Sequence, residues 1–347
     1  SFRDYHVYEE VPEEEAVGDC VIVNAGWVLV DRPDRGDCRC RLVAQELNLG
    51  AALGFDTYAA TPTTATMRLV MAYALKRGWP LALGDVSVAF LHALIGDKRY
   101  FVRPPTSECR PGFLWRLNRA MYGLRESPRL WQQHLAMVLT RNGFERLHAD
   151  AQLYRHKLSG ALAMIFADDI LIAAPEEWLE RVKKEFEKEL TVKWGGVINT
   201  EWKKYLGKQY RREENTLEVR VPLKYWLGTL ELVGMTGCKT SAIPAEVTSC
   251  TEEDTSPSLD PKRHGLFRSF VGKVMWVLDV RPDIAFVTKE LARHVSSPTE
   301  VDWTRLVHLA RYLQGTKDVM LKLGTAGGGE EIIAYADASW ASSSGRR

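Results

Sequence analysis

The sequence predicts an α+β fold. Two observations carry it. Apolar strand pairs joined by tight polar turns recur through the first 220 residues, and after Pro222 the periodicity becomes helical.

Strand-like runs come first at Cys20–Val23 and Gly26–Val30. The polar turn Asp31–Gly36 leads to a returning strand, Arg41–Ala44, which makes a hairpin. Thr61-Pro62 precedes an apolar-periodic stretch from Thr64 to Lys76 that ends before Gly78, a helix with sound start and stop signals. Leu81–Val86 is a short apolar strand with Asp85 near its end. Leu130, Trp131, Leu135, Val138 and Leu139 share one helical face, and Gly143 stops that helix. Leu162–Phe166 and Ile170–Ala173 are apolar strands separated only by Ala167-Asp168-Asp169, so they form a hairpin with acids at its tip. Glu176–Leu190 is an amphipathic helix. Tyr205–Tyr210 and Leu217–Val221 flank the turn Glu213-Glu214-Asn215 as another hairpin. Helical patterns then cover 223–235, 265–279, 283–295 and 302–314, with a polar, Pro-rich loop at 244–261. Gly324–Gly329 reads as a linker, and Ile332–Ala336 as a new strand leading to Asp337.

Composition fits a folded chain: 347 residues, 46% apolar and 26% charged, enough for about two domains and part of a third. The net charge is only +1, but it is unevenly distributed. Residues 1–20 hold seven acids against Arg3, and this segment is expected to be loosely held. Residues 101–160 hold ten Arg or Lys against four acids, with Arg103, Arg110, Arg116, Arg119, Arg125, Arg129 and Arg141 close together. Such a stretch is either the footprint of a phosphate backbone or a solvated face. The six cysteines show no C-x-x-C pair, which argues against a zinc site and for reduced thiols in an intracellular protein. There is no signal peptide and no apolar run long enough to span a bilayer, so no membrane partner is expected. The chain starts at Ser1 and stops soon after a strand-like run, so it reads as a piece of something longer.

The chemistry concentrates at Asp168-Asp169. Two acids in a tight turn are by themselves ordinary turn residues. Here the flanking strands are continuously apolar, so the hairpin belongs to a buried sheet and its tip lies at the sheet's end. Asp85 ends another apolar strand. If the two strands are neighbours, three carboxylates converge, and their mutual repulsion calls for cations. Mg²⁺ favours oxygen ligands, and two such ions could activate an attacking hydroxyl and stabilise a leaving pyrophosphate. That is nucleotidyl transfer.

Several segments resemble copia-type reverse transcriptases. Phe166-Ala167-Asp168-Asp169 looks like their Tyr-x-Asp-Asp box. The segment 83–92, with Asp85, Phe90 and His92, is similar to Leu-Asp-Val-x-x-Ala-Phe-Leu-Asn. The segment 115–131 resembles their Leu-Tyr-Gly-Leu-Lys-Gln-x-Pro-Arg-x-Trp signature. Arg41–Gln45, Tyr205-Leu206-Gly207 and Arg281–Ala285 match further blocks in order, and the resemblance spans roughly 25–340.

The resemblance implies a right-hand polymerase with an antiparallel palm sheet backed by helices. It places an acidic segment at 1–19, fingers and palm at 20–220, thumb and connector helices at 221–325 and a truncated start of RNase H at 326–347. Asp85, Asp168 and Asp169 would hold two Mg²⁺ ions, with Mn²⁺ able to substitute. Arg41 would pair with the triphosphate, with Val86 and Ser87 beside the substrate. Phe90 would be a steric gate against the ribose 2′-hydroxyl. Tyr122 and Gly123 would lie under the incoming base pair, the glycine permitting close approach. Arg125 and Arg129 would contact the template backbone, and Leu206-Gly207 would belong to the primer-grip hairpin. Partners would be RNA template, DNA primer, dNTPs, and an integrase upstream and an RNase H downstream in the same polyprotein. The location would be cytoplasmic or nuclear. Asp337 would be the first RNase H ligand, with no RNase H activity expected because its partner acids are missing. The sequence departs from the family at Phe166, Ala167, Glu46-Leu47 and His92. Those changes keep open a non-catalytic, nucleic-acid-binding remnant. An unrelated two-metal phosphodiesterase is a third reading.

Overall fold

The computed structural model describes residues 2–32, 36–46, 57–96, 99–246 and 254–324. It divides into two compact units, Ser1–Val197 and Ile198–Arg347. The expected boundary between palm and thumb lay at 220/221. In the structure the hairpins after Ile198 group instead with the helices that follow them.

The first unit holds two sheets. Its strands are β1 (Tyr8–Pro12), β2 (Val21–Arg32), β3 (Asp37–Ala44), β4 (Leu81–Val86), β5 (Tyr100–Arg103), β6 (Phe113–Leu117), β7 (Phe144–Arg146), β8 (Leu153–His156), β9 (Leu162–Phe166), β10 (Asp169–Ala173) and β11 (Val192–Val197). Its helices are α1 (Thr64–Arg77), α2 (Ser127–Arg141) and α3 (Glu176–Glu187). The first sheet has the order β1-β6-β5-β2-β3, with β2 and β5 parallel. The second has the order β11-β4-β10-β9-β8-β7 and is antiparallel throughout.

Local signals explain several of these elements. The Thr63 side chain accepts a hydrogen bond from the Thr66 amide at the start of α1, and Gly78 ends that helix in the left-handed region. Buried faces of α2 and α3 pack on the antiparallel sheet through Trp131, Leu135, Val138, Leu179 and Phe186. On the opposite side α1 lies against β9 and β10. Cover on both sides explains why these strands read as continuous apolar runs, without the alternation of a half-exposed sheet.

The amino-terminal segment differs from the expectation of a loosely held tail. Val7 is fully buried, and β1 pairs with β6 from Tyr8↔Leu117 to Pro12↔Phe113. Tyr8 stacks on Trp115, with ring centroids 4.0 Å apart. Arg116 pairs with Glu9 at 2.6 Å and with Glu15 at 3.3 Å, and Arg103 pairs with Glu13. The acids and part of the basic stretch thus answer each other across about a hundred residues. Arg129 and Arg141 also form ion pairs, with Glu126 and Glu189. Much of the basic stretch is therefore compensated internally.

The second unit holds β12 (Lys203–Tyr205), β13 (Lys208–Glu213), β14 (Thr216–Arg220) and β15 (Leu321–Gly324) in one antiparallel sheet. Its helices are α4 (Leu223–Leu232), α5 (Pro261–Trp276), α6 (Ala285–Arg293) and α7 (Glu300–Gly315). The single strand expected over Tyr205–Tyr210 is two strands. Leu206 (φ +46°) and Gly207 (φ +77°) form a left-handed turn between them. A side chain at Gly207 would meet the Trp276 ring at 2.9 Å. The buried Arg281 bonds the Asp283 carboxylate with both Nε (2.8 Å) and Nη2 (2.6 Å). Among the described residues no helix is long and apolar enough to cross a membrane. The expected strand Ile332–Ala336 and Asp337 lie outside the described residues.

Candidate active site

The Asp-Asp turn is built by β9 and β10. Phe166 closes β9, Ala167 and Asp168 form the turn, and Asp169 opens β10. Ala167 takes φ +55°, a strained choice for a residue with a side chain. Two hydrogen bonds hold the turn. Trp131 Nε1 donates to the Ala167 carbonyl at 2.8 Å, and the Val86 amide donates to the Asp168 carbonyl at 2.8 Å.

Register then brings the acids together. β10 is the neighbour of β4, and Asp169 stands directly opposite Asp85. On the other side of Asp85, across the β4–β11 pair, stands Lys193. Asp169 is half-buried, and burial followed by the charges of Asp168 and Asp85 pushes its carboxyl up to about 6. Asp168 is likewise raised, chiefly by burial, with Asp85 adding to it and Arg41 and Arg39 opposing it.

A cavity of about 610 Å³ opens over Asp85 and Asp168, while Asp169, opposite Asp85 in the ladder, is not in its lining. Asp85, Val86, Ser87, Asp168, Arg41 and Tyr122 all line it. The Arg41 guanidinium lies over the Tyr122 ring, 5.4 Å from its centroid, which fixes the cation at the wall. The Ser87 hydroxyl is buried without a hydrogen-bond partner among the described residues. Val88, also in the lining, holds φ +49°, an outlier for a β-branched residue.

The remaining predicted residues fall as follows. Phe90 is not in the lining but stands behind it, its ring 4.9 Å from that of Tyr122. Gly123 takes φ +91°, and an added Cβ would lie 2.0 Å from the Ala44 carbonyl oxygen. The close approach this glycine permits is therefore to β3. Arg125 is exposed, and its backbone amide donates to the buried Glu46 at 2.6 Å. Arg129 is bonded to Glu126 at 2.8 Å. Leu206 and Gly207 belong to the second unit.

Sequence reasoning missed four contributors. Trp131 read only as core, because nothing in a sequence shows an indole N–H reaching a turn. Lys193 was invisible because β11 itself was not predicted. Arg39 and Trp27 also line the cavity. Arg39 had a signal, since residues i and i+2 of a strand share a face and Arg41 was already singled out.

The donor set suits a hard cation: three carboxylates, with those of Asp168 and Asp169 made hard to ionise by burial first, then by Asp85 in both cases and by Asp168 at Asp169. Among the described residues no group of three or more His, Cys, Asp or Glu side chains is arranged to hold a metal by itself.

A family model described as reverse transcriptase (RNA-dependent DNA polymerase) matches residues 18–247. The chain is 27% identical over 348 residues to the retrovirus-related Pol polyprotein from transposon RE2 of Arabidopsis thaliana, covering 97% of this chain and 23% of that protein. It is 24% identical over 334 residues to the corresponding polyprotein from transposon TNT 1-94 of Nicotiana tabacum, covering 91% of this chain and 24% of that protein. The chain thus spans about a quarter of the length of these relatives. Among solved structures it is similar to a foamy viral protease-reverse transcriptase in complex with dsDNA, at TM-score 0.44 and 14% identity, covering 82% of this chain and 50% of that one. The family match takes in Asp85, Asp168, Asp169 and the whole wall from Arg39 to Lys193: the chain belongs to the reverse transcriptase (RNA-dependent DNA polymerase) family, as a copia-type member.

Proposed function

We propose that this chain is an RNA- and DNA-templated DNA polymerase, the reverse transcriptase portion of a copia-type retrotransposon Pol polyprotein. The observation that carries the reading is the facing pair Asp85 and Asp169, with Asp85 and Asp168 lining a cavity walled by Arg41 and Tyr122. In this reading the first unit supplies fingers and palm, and the helices α4 to α7 supply thumb and connector.

Asp85, Asp168 and Asp169 would hold two Mg²⁺ ions, or Mn²⁺, which supply Lewis acidity for attack by a primer 3′-hydroxyl and departure of pyrophosphate. The protein's own residues do the positioning. Arg41 presents a fixed fork of donors to phosphate oxygens. Tyr122 supports the incoming base pair, and Val86 and Ser87 line the substrate's side of the site. Phe90 backs Tyr122 and limits room at the sugar, leaving space for hydrogen and not for a 2′-hydroxyl. Arg125 and Arg129 would meet the template backbone, with salt-dependent and sequence-independent affinity. Arg129 would first have to be shared with Glu126. The Leu206-Gly207 turn would contact the primer. Integrase and RNase H would be neighbours in the parent polyprotein.

Primer extension on poly(rA)/oligo(dT) with Mg²⁺ or Mn²⁺, comparing dTTP with UTP, tests the proposal. Extension with dTTP alone is expected. Template binding without any extension would replace this reading with a catalytically degenerate binding remnant, to which the changes at Phe166, Ala167 and Glu46 would then point.

A further inference from the structure

The cavity has a wall that lies outside residues 18–247. Phe2, Arg3, Asp4 and Tyr8 all line it. These residues are not a dangling end. The Val7 amide donates to the Phe2 carbonyl at 3.0 Å, and the Val7 carbonyl accepts from Asn118 at 2.8 Å. Tyr5 shares a hydrogen bond with the Thr191 hydroxyl at 3.0 Å, just ahead of β11. The Thr191 carbonyl in turn accepts from the Ser87 amide at 2.8 Å. Farther along, β1 and its glutamates close onto β6 and onto Arg103 and Arg116. The segment is therefore tied at one end to the mixed sheet and at the other to the antiparallel sheet that carries the three acids. Each exposed ion pair contributes little, about 0.2–1 kcal/mol. The ladder, the buried Val7 and the Tyr8–Trp115 stack hold the segment firmly.

Charge gives this wall a role. The described lining holds four cations: Arg3, Arg39, Arg41 and Lys193. Arg39 and Arg41 bear on Tyr122 and Asp168 electrostatically. Arg3 is exposed and makes no ion pair among the described residues, so its guanidinium is available to a ligand. Four carboxylates, Asp4, Asp85, Glu108 and Asp168, share the lining, so the cations of the wall, with the Arg3 guanidinium at the rim, are what would attract an oxyanion, phosphate above all.

We infer that the amino-terminal strap, residues 2–15, is a working wall of this cavity and that Arg3 is a positioning residue for a phosphate group entering it. The inference rests on the polymerase reading for the source of that phosphate, which is either the incoming nucleotide or the nucleic-acid backbone. Its evidence is the fixed position of the strap and the free charge at its tip.

The test is equilibrium binding with the full chain, read by the change in its tryptophan fluorescence, to which Trp27 and Trp115 of the lining contribute among the eleven tryptophans. dTTP is titrated in one arm. In the other arm the ligand is poly(rA)/oligo(dT) ending in a dideoxynucleotide, so no turnover intervenes. Arg3→Ala should weaken one ligand five- to tenfold, Arg3→Glu more, and Arg3→Lys should recover much of the loss. Melting temperatures should stay the same, because Arg3 is exposed. If the nucleic-acid arm moves, its salt slope should fall by about one. If the dTTP arm moves, the phosphate belongs to the nucleotide. Unchanged affinity in both arms overturns the inference, and so does tighter binding in Arg3→Glu, which would make the strap an obstruction. Binding is read apart from extension. A chain that loses affinity on Arg3→Ala but never extends a primer defeats the polymerase reading alone. A chain that extends normally and ignores Arg3→Glu defeats the strap alone.

Discussion

Asp85 and Asp169 face each other across β4 and β10, two like charges at one cross-strand position. Like charges placed so are destabilising, and burial sharpens the cost. The folded chain therefore carries a repulsion that a bound cation, or protonation of Asp169, would relieve. Asp169→Asn should abolish primer extension, by at least about a hundredfold, with template binding nearly unchanged. The same variant should be more stable than the unsubstituted chain in the absence of divalent cations, by on the order of 1 kcal/mol once screening of a half-exposed group is allowed for. Thermal melting with a chelator present measures this. An unaltered or lowered melting temperature would mean that the repulsion is not felt in the folded chain.

Trp131 holds the Asp-Asp turn from below through its 2.8 Å hydrogen bond to the Ala167 carbonyl. Ala167 sits at φ +55° and has little intrinsic reason to stay there. Trp131→Phe keeps the core ring and removes the donor. Stability should fall by about 0.5–1.5 kcal/mol, because a part-buried carbonyl loses its partner. The kcat for dTTP incorporation should fall about tenfold with KM within twofold, since the acids move while the nucleotide wall stays. A raised KM at unchanged kcat would contradict that assignment.

Gly123 joins the Tyr122 segment to β3. Any side chain there must adopt φ +91° and occupy the space of the Ala44 carbonyl. Gly123→Ala should cost at least about 2–4 kcal/mol in denaturant unfolding, more than an ordinary surface change. Its effect on nucleotide affinity should follow from misplacing Arg41, which lies over Tyr122. A variant with unchanged stability would show that the two segments can separate freely.

Asp254 ties the start of α7 to the segment that precedes α5. Its carboxylate accepts from the Ser256 hydroxyl at 2.6 Å and the Thr299 hydroxyl at 2.6 Å. Those bonds, the Ser256 one first, hold its pKa down at about 2. A carboxyl depressed in the folded state adds stability above its unfolded value near 4, and that stability is lost as pH falls toward 2. Asp254→Asn should therefore melt lower than the unsubstituted chain at pH 6, on the order of 1–3 °C for so exposed a group, and the gap should close by pH 2. A gap that is constant with pH would mean the tie does not depend on charge.

Much of this was legible in the residues. Thr61-Pro62 and Gly78 marked the bounds of α1 because start and stop signals are local chemistry, and the structure adds Thr63 as the cap. Leu81–Val86 and Leu162–Phe166 were read with the bounds they have, because runs buried on both faces leave a dense apolar signature. What stayed hidden was non-local. The facing of Asp85 and Asp169 could be posed only as a condition, since neighbourhood of two strands 80 residues apart is a property of the whole sheet. The pairing of Glu9 with Arg116 was hidden for the same reason, so an acid-rich segment looked loosely held. β11 escaped because Trp194-Gly195-Gly196 interrupts any alternation and carries a bulge. The Leu206 turn escaped because a leucine at positive φ contradicts local preference, and tertiary structure overrides it.

Phe90 offers the sharpest test of whether the cavity, in the proposed reading, discriminates between sugars. Its ring is half-buried, packs against the core beneath the antiparallel sheet, and stands 4.9 Å from Tyr122. Two roles, packing and exclusion, therefore share one side chain, and they separate by readout. Phe90→Val should lower stability by about 1–3 kcal/mol through lost packing whichever role is correct. Only the exclusion role also changes the sugar preference: the ratio of kcat/KM for dTTP over UTP should fall at least about tenfold, mostly through faster use of UTP. Phe90→Tyr keeps the bulk and should leave the ratio near its original value. If Phe90→Val loses stability and slows both nucleotides alike, the ring is a core residue and discrimination against the 2′-hydroxyl resides elsewhere in the wall.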